Sequence, residues 1–141
     1  LPENAIEPVA GAMALVRELV RDGATRAAHD ISDGGLGCAL AEMAIAGGVG
    51  LDADLDALVE LRGCSGETAL FGEGPGGFVL AGARDALETL ARSGVDLLIV
   101  GRAGGERLAI SAAEAELDVA LADAERAWRS LGERLNAAPT P

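Results

Sequence analysis

The chain has 141 residues, the usual size of one domain and enough to bury roughly two-thirds of the surface its unfolded form exposes. Its 23 Asp and Glu stand against 11 basic residues, all Arg, for a formal charge of −12, so a nucleic-acid backbone would be repelled across most of the surface. An anionic small substrate is still compatible, provided magnesium or a neighbouring domain supplies positive charge.

Half the residues are hydrophobic, yet there are only two Phe, one Trp and no Tyr. The core must therefore come from Ala, Val, Leu and Ile, which suits a sheet covered by Ala-rich helices. Cys38 and Cys64 are too few for a disulfide framework and lie in no zinc-binding spacing, which fits a reducing cytoplasm. The amino terminus lacks a basic segment followed by an apolar run, and no stretch approaches the ~20 apolar residues of a membrane span. The expectation is a cytoplasmic protein. The chain begins at Leu1 without Met and enters a helical pattern at once, the form expected of a piece of something longer.

Val9, Met13, Val16 and Val20 recur at helical spacing and predict a helix from about Pro8 to about Arg21, ended by Gly23. Thr25 to Ile31 is short and bounded by glycine, which predicts a buried strand with polar residues at its carboxyl end. Leu36, Leu40, Met43 and Gly47 give the stripe of a second helix. Gly48 to Ala53 predicts a strand, and Asp54 to Glu60 a short surface helix or a loop. Six glycines and a proline between Gly63 and Gly77 predict loop, with one helical turn at Glu67–Phe71.

Phe78–Ala81 then predicts a strand and Arg84–Ser93 a helix with Leu87, Leu90 and Ala91 inward. The apolar run Asp96–Gly101 predicts another strand, joined by a tight hairpin at Ala103–Glu106 to Leu108–Ile110. A second turn near Ala113-Glu114 leads to Leu117–Val119. A closing helix carries Leu121, Ala124, Trp128, Leu131 and Leu135, and residues 137–141 should fray. This order predicts a single α+β domain over residues 1–141, helices packed on a mixed β-sheet, without internal repeat or linker.

Chemistry concentrates in His29-Asp30-Ile31-Ser32-Asp33-Gly34-Gly35-Leu36, where a strand delivers two carboxylates and a hydroxyl to the start of a helix. The first amides of a helix lack intrahelical partners and the dipole there is positive, so a phosphate can be held while carboxylates hold magnesium against it. Gly34 and Gly35 would let a ligand approach the backbone closely. The plainer alternative makes Ser32 or Asp33 an N-cap, Gly34-Gly35 a turn and His29 a structural residue. No Ser-His-Asp arrangement, GxSxG or GxxxxGK[ST] loop is present.

The run AHDISDGGLGCALAEMAIAGGVG and the later ALFGEGPGGFVLA, which places Glu73 in a glycine-rich turn, resemble the last domain of the phosphoribosylformylglycinamidine synthases over essentially the whole chain. The resemblance implies an AIR-synthase-like C-terminal fold and an upstream nucleotide-binding partner domain. It also implies an ATP-dependent ligase of purine biosynthesis that converts formylglycinamide ribonucleotide to its amidine with ammonia from a glutaminase subunit. Implied cofactors are ATP and Mg2+; implied metal ligands are Asp33 and Asp30, with Ser32, Asp33, Gly34 and Gly35 toward the nucleotide. A reacting and a structural nucleotide site are equally compatible. Where the family carries a basic residue after the glutamate, as in GESxGR, this chain has Gly74-Pro75-Gly76-Gly77, so that positive contact is missing or supplied elsewhere. Aminoimidazole ribonucleotide synthase and selenophosphate synthetase share the fold but differ in the strand-to-helix motif, and a non-catalytic binding module is the alternative of another class.

Overall fold

The computed structural model describes residues 6–92 and 96–136, the side chains of 131 and 133–136 excepted. The elements run α1 (Ile6–Arg21), β1 (Thr25–Ile31), α2 (Gly35–Gly47), β2 (Leu51–Asp54), α3 (Asp56–Arg62), α4 (Gly66–Phe71), β3 (Gly77–Gly82), α5 (Arg84–Arg92), β4 (Gly101–Ala103), β5 (Arg107–Ala112), β6 (Ala115–Ala120) and α6 (Leu121–Asn136). The fold is α+β, as the element order predicts. The expected end of α5 at Ser93, the inward Leu131 and Leu135, and residues 137–141 lie outside the described positions.

Two sheets form. β1 pairs antiparallel with β3, from Thr25 opposite Gly82 to Ile31 opposite Gly77. The other sheet has the order β4-β2-β5-β6, with β2 antiparallel to β4 and parallel to β5. The hairpin expected at Ala103–Glu106 therefore does not form, because β2 lies between the two strands it would have joined. The loop instead straddles the entry of β2: Gly104 N–H donates to the Gly50 carbonyl at 2.8 Å, and Gly50 N–H to the Gly105 carbonyl at 2.9 Å. The second predicted turn does form a hairpin, with Ala112 opposite Ala115 and Ala113 at φ 50°.

The run Asp96–Gly101 is strand only at its last residue. Val100 packs against the core, and its carbonyl accepts from Asp54 N–H at 2.7 Å, so the segment is held without a ladder. The stripe of α1 is also turned from the expected one. Val9, Leu15, Val16 and Leu19 are half-buried, whereas Met13 and Val20 are 56% and 52% exposed, since only one side of α1 rests on the β1–β3 ribbon.

The core joins α2, α4 and the four-stranded sheet through Leu36, Leu40, Ala53, Leu55, Leu70, Ile110 and Ala112. Leu55, Leu108 and Ile110 are almost fully enclosed, each burial favouring the fold by about 1.5–3 kcal/mol. Because α2 is apolar on nearly every side and enters this core at its first residues, its amino terminus is fixed in space. β1 differs from the buried strand expected: Arg26, Ala27, Ala28 and Asp30 are exposed, and among the described residues β3 is its sole strand neighbour.

Candidate functional site

The β1–β3 register decides which loops meet. With Ile31 opposite Gly77, the exit of β1 (residues 32–34) and the entry to β3 (residues 72–76) lie at the same end of the ribbon. The two motifs singled out in the sequence are thus neighbours in space. One hydrogen bond joins them: Gly34 N–H donates to Glu73 Oε1 at 2.9 Å.

Both glycines of the turn sit in the left-handed region, Gly34 at φ 79° and Gly35 at φ 70°. A Cβ on Gly34 would fall 2.5 Å from Cys38 Sγ, and one on Gly35 would fall 2.8 Å from the Leu70 carbonyl oxygen. The close approach that Gly35 permits is therefore to the end of α4. Its own N–H donates to the Ser32 carbonyl at 3.0 Å, and the residue is buried. The expected open contact of a ligand with the backbone at both glycines is accordingly narrowed, since the amides of Gly34 and Gly35 are already engaged. The cap reading of Ser32 and Asp33 is corrected as well. Gly34 is the N-cap residue of α2 and receives no side-chain cap from its neighbours; the oxygen at this helix end comes from Glu73.

Asp33 is exposed, and no hydrogen bond or ion pair engages its side chain among the described residues. Asp30 is 64% exposed and lies 3.7 Å from His29 Nδ1 through Oδ1. His29 Nδ1 is 2.6 Å from the Asp30 carbonyl oxygen, which can only accept, so Nδ1 carries the proton of that bond. Nε2 lies 3.3 Å from Glu42 Oε2 of α2, and the two form an ion pair only when the ring carries both protons. Both ring nitrogens thus face groups of β1 and α2.

The turn lines neither of two surface grooves. One of about 860 Å³ runs between Arg26–His29, α2 and Trp128; another, of about 570 Å³, lies by Asp52, Asp54 and Arg84. Asp33 is exposed to solvent and lines neither groove. Among the described residues no three His, Cys, Asp or Glu side chains gather into a metal-holding group. Asp33 and Asp30 are each exposed carboxylates, hard oxygen donors. That fits magnesium, which keeps waters and takes substrate phosphates alongside one or two carboxylates.

Residues 7–129 match the family model described as AIR synthase related protein, C-terminal domain. The chain belongs to this family. Members similar to it in sequence include the phosphoribosylformylglycinamidine synthase subunit PurL of Chelativorans sp. (strain BNC1), 41% identical over 121 residues, which covers 80% of this chain and 16% of that protein. The PurL subunit of Rhodospirillum rubrum is 43% identical over 100 residues, 68% of this chain and 13% of its own. The chain thus spans about one-sixth of the length of the curated relatives it matches. Among solved structures, T. maritima PurL complexed with FGAR and the same protein complexed with AMPPCP each superpose with a TM-score of 0.65 at 18% identity. Each match covers 84% of this chain and 20% or 21% of the other. At that identity the likeness establishes the AIR-synthase-related fold.

Sequence reasoning found the two motifs but missed Glu73 as the group that closes the amino terminus of α2. Its signal was present only indirectly, as a glutamate flanked by glycines just before the strand that pairs with β1.

Proposed function

We propose that this chain is the carboxylate-bearing domain of an ATP-dependent carbon–nitrogen ligase of purine biosynthesis. The reaction joins formylglycinamide ribonucleotide, ATP and glutamine-derived ammonia to give the amidine. The observation that carries the proposal is the exposed, unengaged Asp33 at the point where the two family motifs meet. A carboxylate aimed at solvent from a rigidly held helix start is the arrangement expected of a half-site completed by another domain. The relatives, about six times longer and named as synthase subunits, support that division of labour.

In this reading Asp33 holds magnesium, with Asp30 as the second carboxylate, while Ser32 and the surface of the turn at Gly34, whose amide stays on Glu73, line the nucleotide's approach. Gly35 acts from behind by packing. Magnesium, when bound, supplies the positive charge that lets a polyphosphate lie beside an acidic domain. The chain's own residues position and neutralise, and no nucleophilic side chain is needed. Upstream nucleotide-binding domains furnish the other half of the site, a glutaminase subunit furnishes ammonia, and the domain alone does not turn over.

Complementation in trans tests this. The missing domains are mixed with this chain, ATP, Mg2+, ammonia and the ribonucleotide, and amidine formation is measured. Activity is expected with the native chain, none with the chain alone, and a large loss with Asp33→Asn. Equal rates for native and variant chains would remove Asp33 from the site.

A further inference from the structure

The turn from Ser32 to Gly34 is short, and its ends are fixed independently. At one end stands the last rung of the β1–β3 ladder, Ile31 opposite Gly77. At the other stands buried Gly35, wedged against Leu70 and Phe71 and bonded through its N–H to the Ser32 carbonyl. Between them, Gly34 holds φ 79° and ψ 4° as the N-cap of α2, where its N–H has no intrahelical acceptor and needs one elsewhere. Glu73 is the side chain that supplies it, at 2.9 Å and from 39 residues along the chain.

Asp33 immediately precedes that amide. Its short side chain has no partner of its own among the described residues, so its direction follows the backbone on which it stands. A change in the Gly34 peptide would therefore reach Asp33 directly. We infer that Glu73 is a positioning residue, whose bond to Gly34 N–H holds the 32–34 turn in the conformation that presents Asp33 to metal and nucleotide. The carboxylate also suits the positive end of α2, which favours Glu73 staying in place. Glu73 acts through the turn, since its Oε1 is taken up by the Gly34 amide whereas the Asp33 carboxylate has no partner among the described residues. This inference rests on the role proposed for Asp33.

The test supplies the remaining synthetase domains and reads the Mg2+ concentration that gives half-maximal amidine formation. Hydrogen exchange at the Gly34 amide is measured in parallel on the chain itself. Glu73→Ala is expected to raise the Mg2+ requirement about 10-fold, as loss of a group orienting a metal ligand does, with little change in rate at saturating Mg2+. The Gly34 amide should lose protection in the same variant. Glu73→Gln keeps an oxygen able to accept from Gly34 and is expected to behave as native in both measurements.

A Glu73→Ala chain with an unprotected Gly34 but an unchanged Mg2+ requirement overturns the inference. So does a Glu73→Gln chain as impaired as Glu73→Ala, which would make the charge itself a ligand. Asp33→Asn separates the two levels. Should it shift the Mg2+ requirement while Glu73→Ala does not, the positioning role alone falls; should it leave the requirement unmoved, the reading of Asp33 falls and the positioning role with it.

Discussion

Ile31 and Gly77 face each other on the last rung of the β1–β3 ladder, and a Cβ on Gly77 would fall 2.9 Å from Ile31 Cδ1. This pairing places residues 32–34 and 72–76 at one end of the ribbon, where the Gly34–Glu73 bond then joins them. A bulky residue at 77 would press on Ile31, which packs against the core, and so move the turn that carries Asp33. Gly77→Val is accordingly expected to weaken the Gly34–Glu73 bond, seen as faster exchange of the Gly34 amide while helix content by circular dichroism stays native. An unchanged Gly34 exchange rate would show that the turn holds its shape without the ladder beneath it.

Gly35→Ala meets two penalties at once. A non-glycine residue at φ 70° costs about 1–3 kcal/mol, and the new methyl, 2.8 Å from the Leu70 carbonyl oxygen, adds overpacking of about 1–3 kcal/mol. The backbone on the far side belongs to α4 and cannot rotate away as a flexible side chain would. The expected loss is about 3 kcal/mol, read as a fall in the denaturant midpoint with an unchanged slope. A loss under about 1 kcal/mol would mean that α4 yields easily and that Gly35 does not fix the helix start.

Most element types were legible because local periodicity reports them, the apolar run Asp96–Gly101 excepted, while strand partners were not because partners are chosen at long range. The stripe Leu36, Leu40, Met43 located α2, and the short segment between Gly23 and Gly34 located β1. Nothing local to Ala103–Glu106 could reveal that β2, some fifty residues earlier, inserts between the flanking strands. The turn glycines were real signals, since Gly105 has φ 70°, but the same backbone serves a hairpin or a crossover. The inward side of α1 is not legible from periodicity because both of its faces carry apolar residues. At the site, Asp30 and Asp33 were legible as types in a pattern, whereas the Glu73–Gly34 bond spans a separation over which sequence spacing carries no geometric information.

Leu55 follows β2 directly and is completely enclosed, between the sheet and the helices that carry Leu36 and Leu70. Its N–H donates to the Ser111 carbonyl at 2.8 Å, so the backbone cannot slide to fill a void. Leu55→Ala is therefore expected to cost about 2–5 kcal/mol, toward the upper end if the cavity stays open. Equilibrium urea unfolding measures it. A cost below about 1 kcal/mol would show that the core collapses around the gap.

Ser65 caps α4, its Oγ accepting from Thr68 N–H at 3.2 Å and lying 3.0 Å from Thr68 Oγ1. Ser65→Ala should cost about 1 kcal/mol, the usual value of such a cap. Because α4 supports Gly35 through Leu70 and Phe71, exchange at Gly35 should quicken with it. Loss of stability with no change at Gly35 would uncouple α4 from the site.

His29 separates a structural from a chemical role. Its Nδ1–H donates to the Asp30 carbonyl and its Nε2 faces Glu42, so both nitrogens point at groups of the domain itself. A general base would need a nitrogen within reach of a substrate proton. Gln at this position still offers an N–H and an oxygen, though at a different reach. His29→Gln is thus expected to lower stability by about 1 kcal/mol, the net worth of one hydrogen bond, and to leave the turnover of the reconstituted ligase within about twofold of native. A fall of about 100-fold or more in turnover, with the unfolding midpoint unchanged, is the size expected on losing an acid–base catalyst and would move His29 from the scaffold into the chemistry.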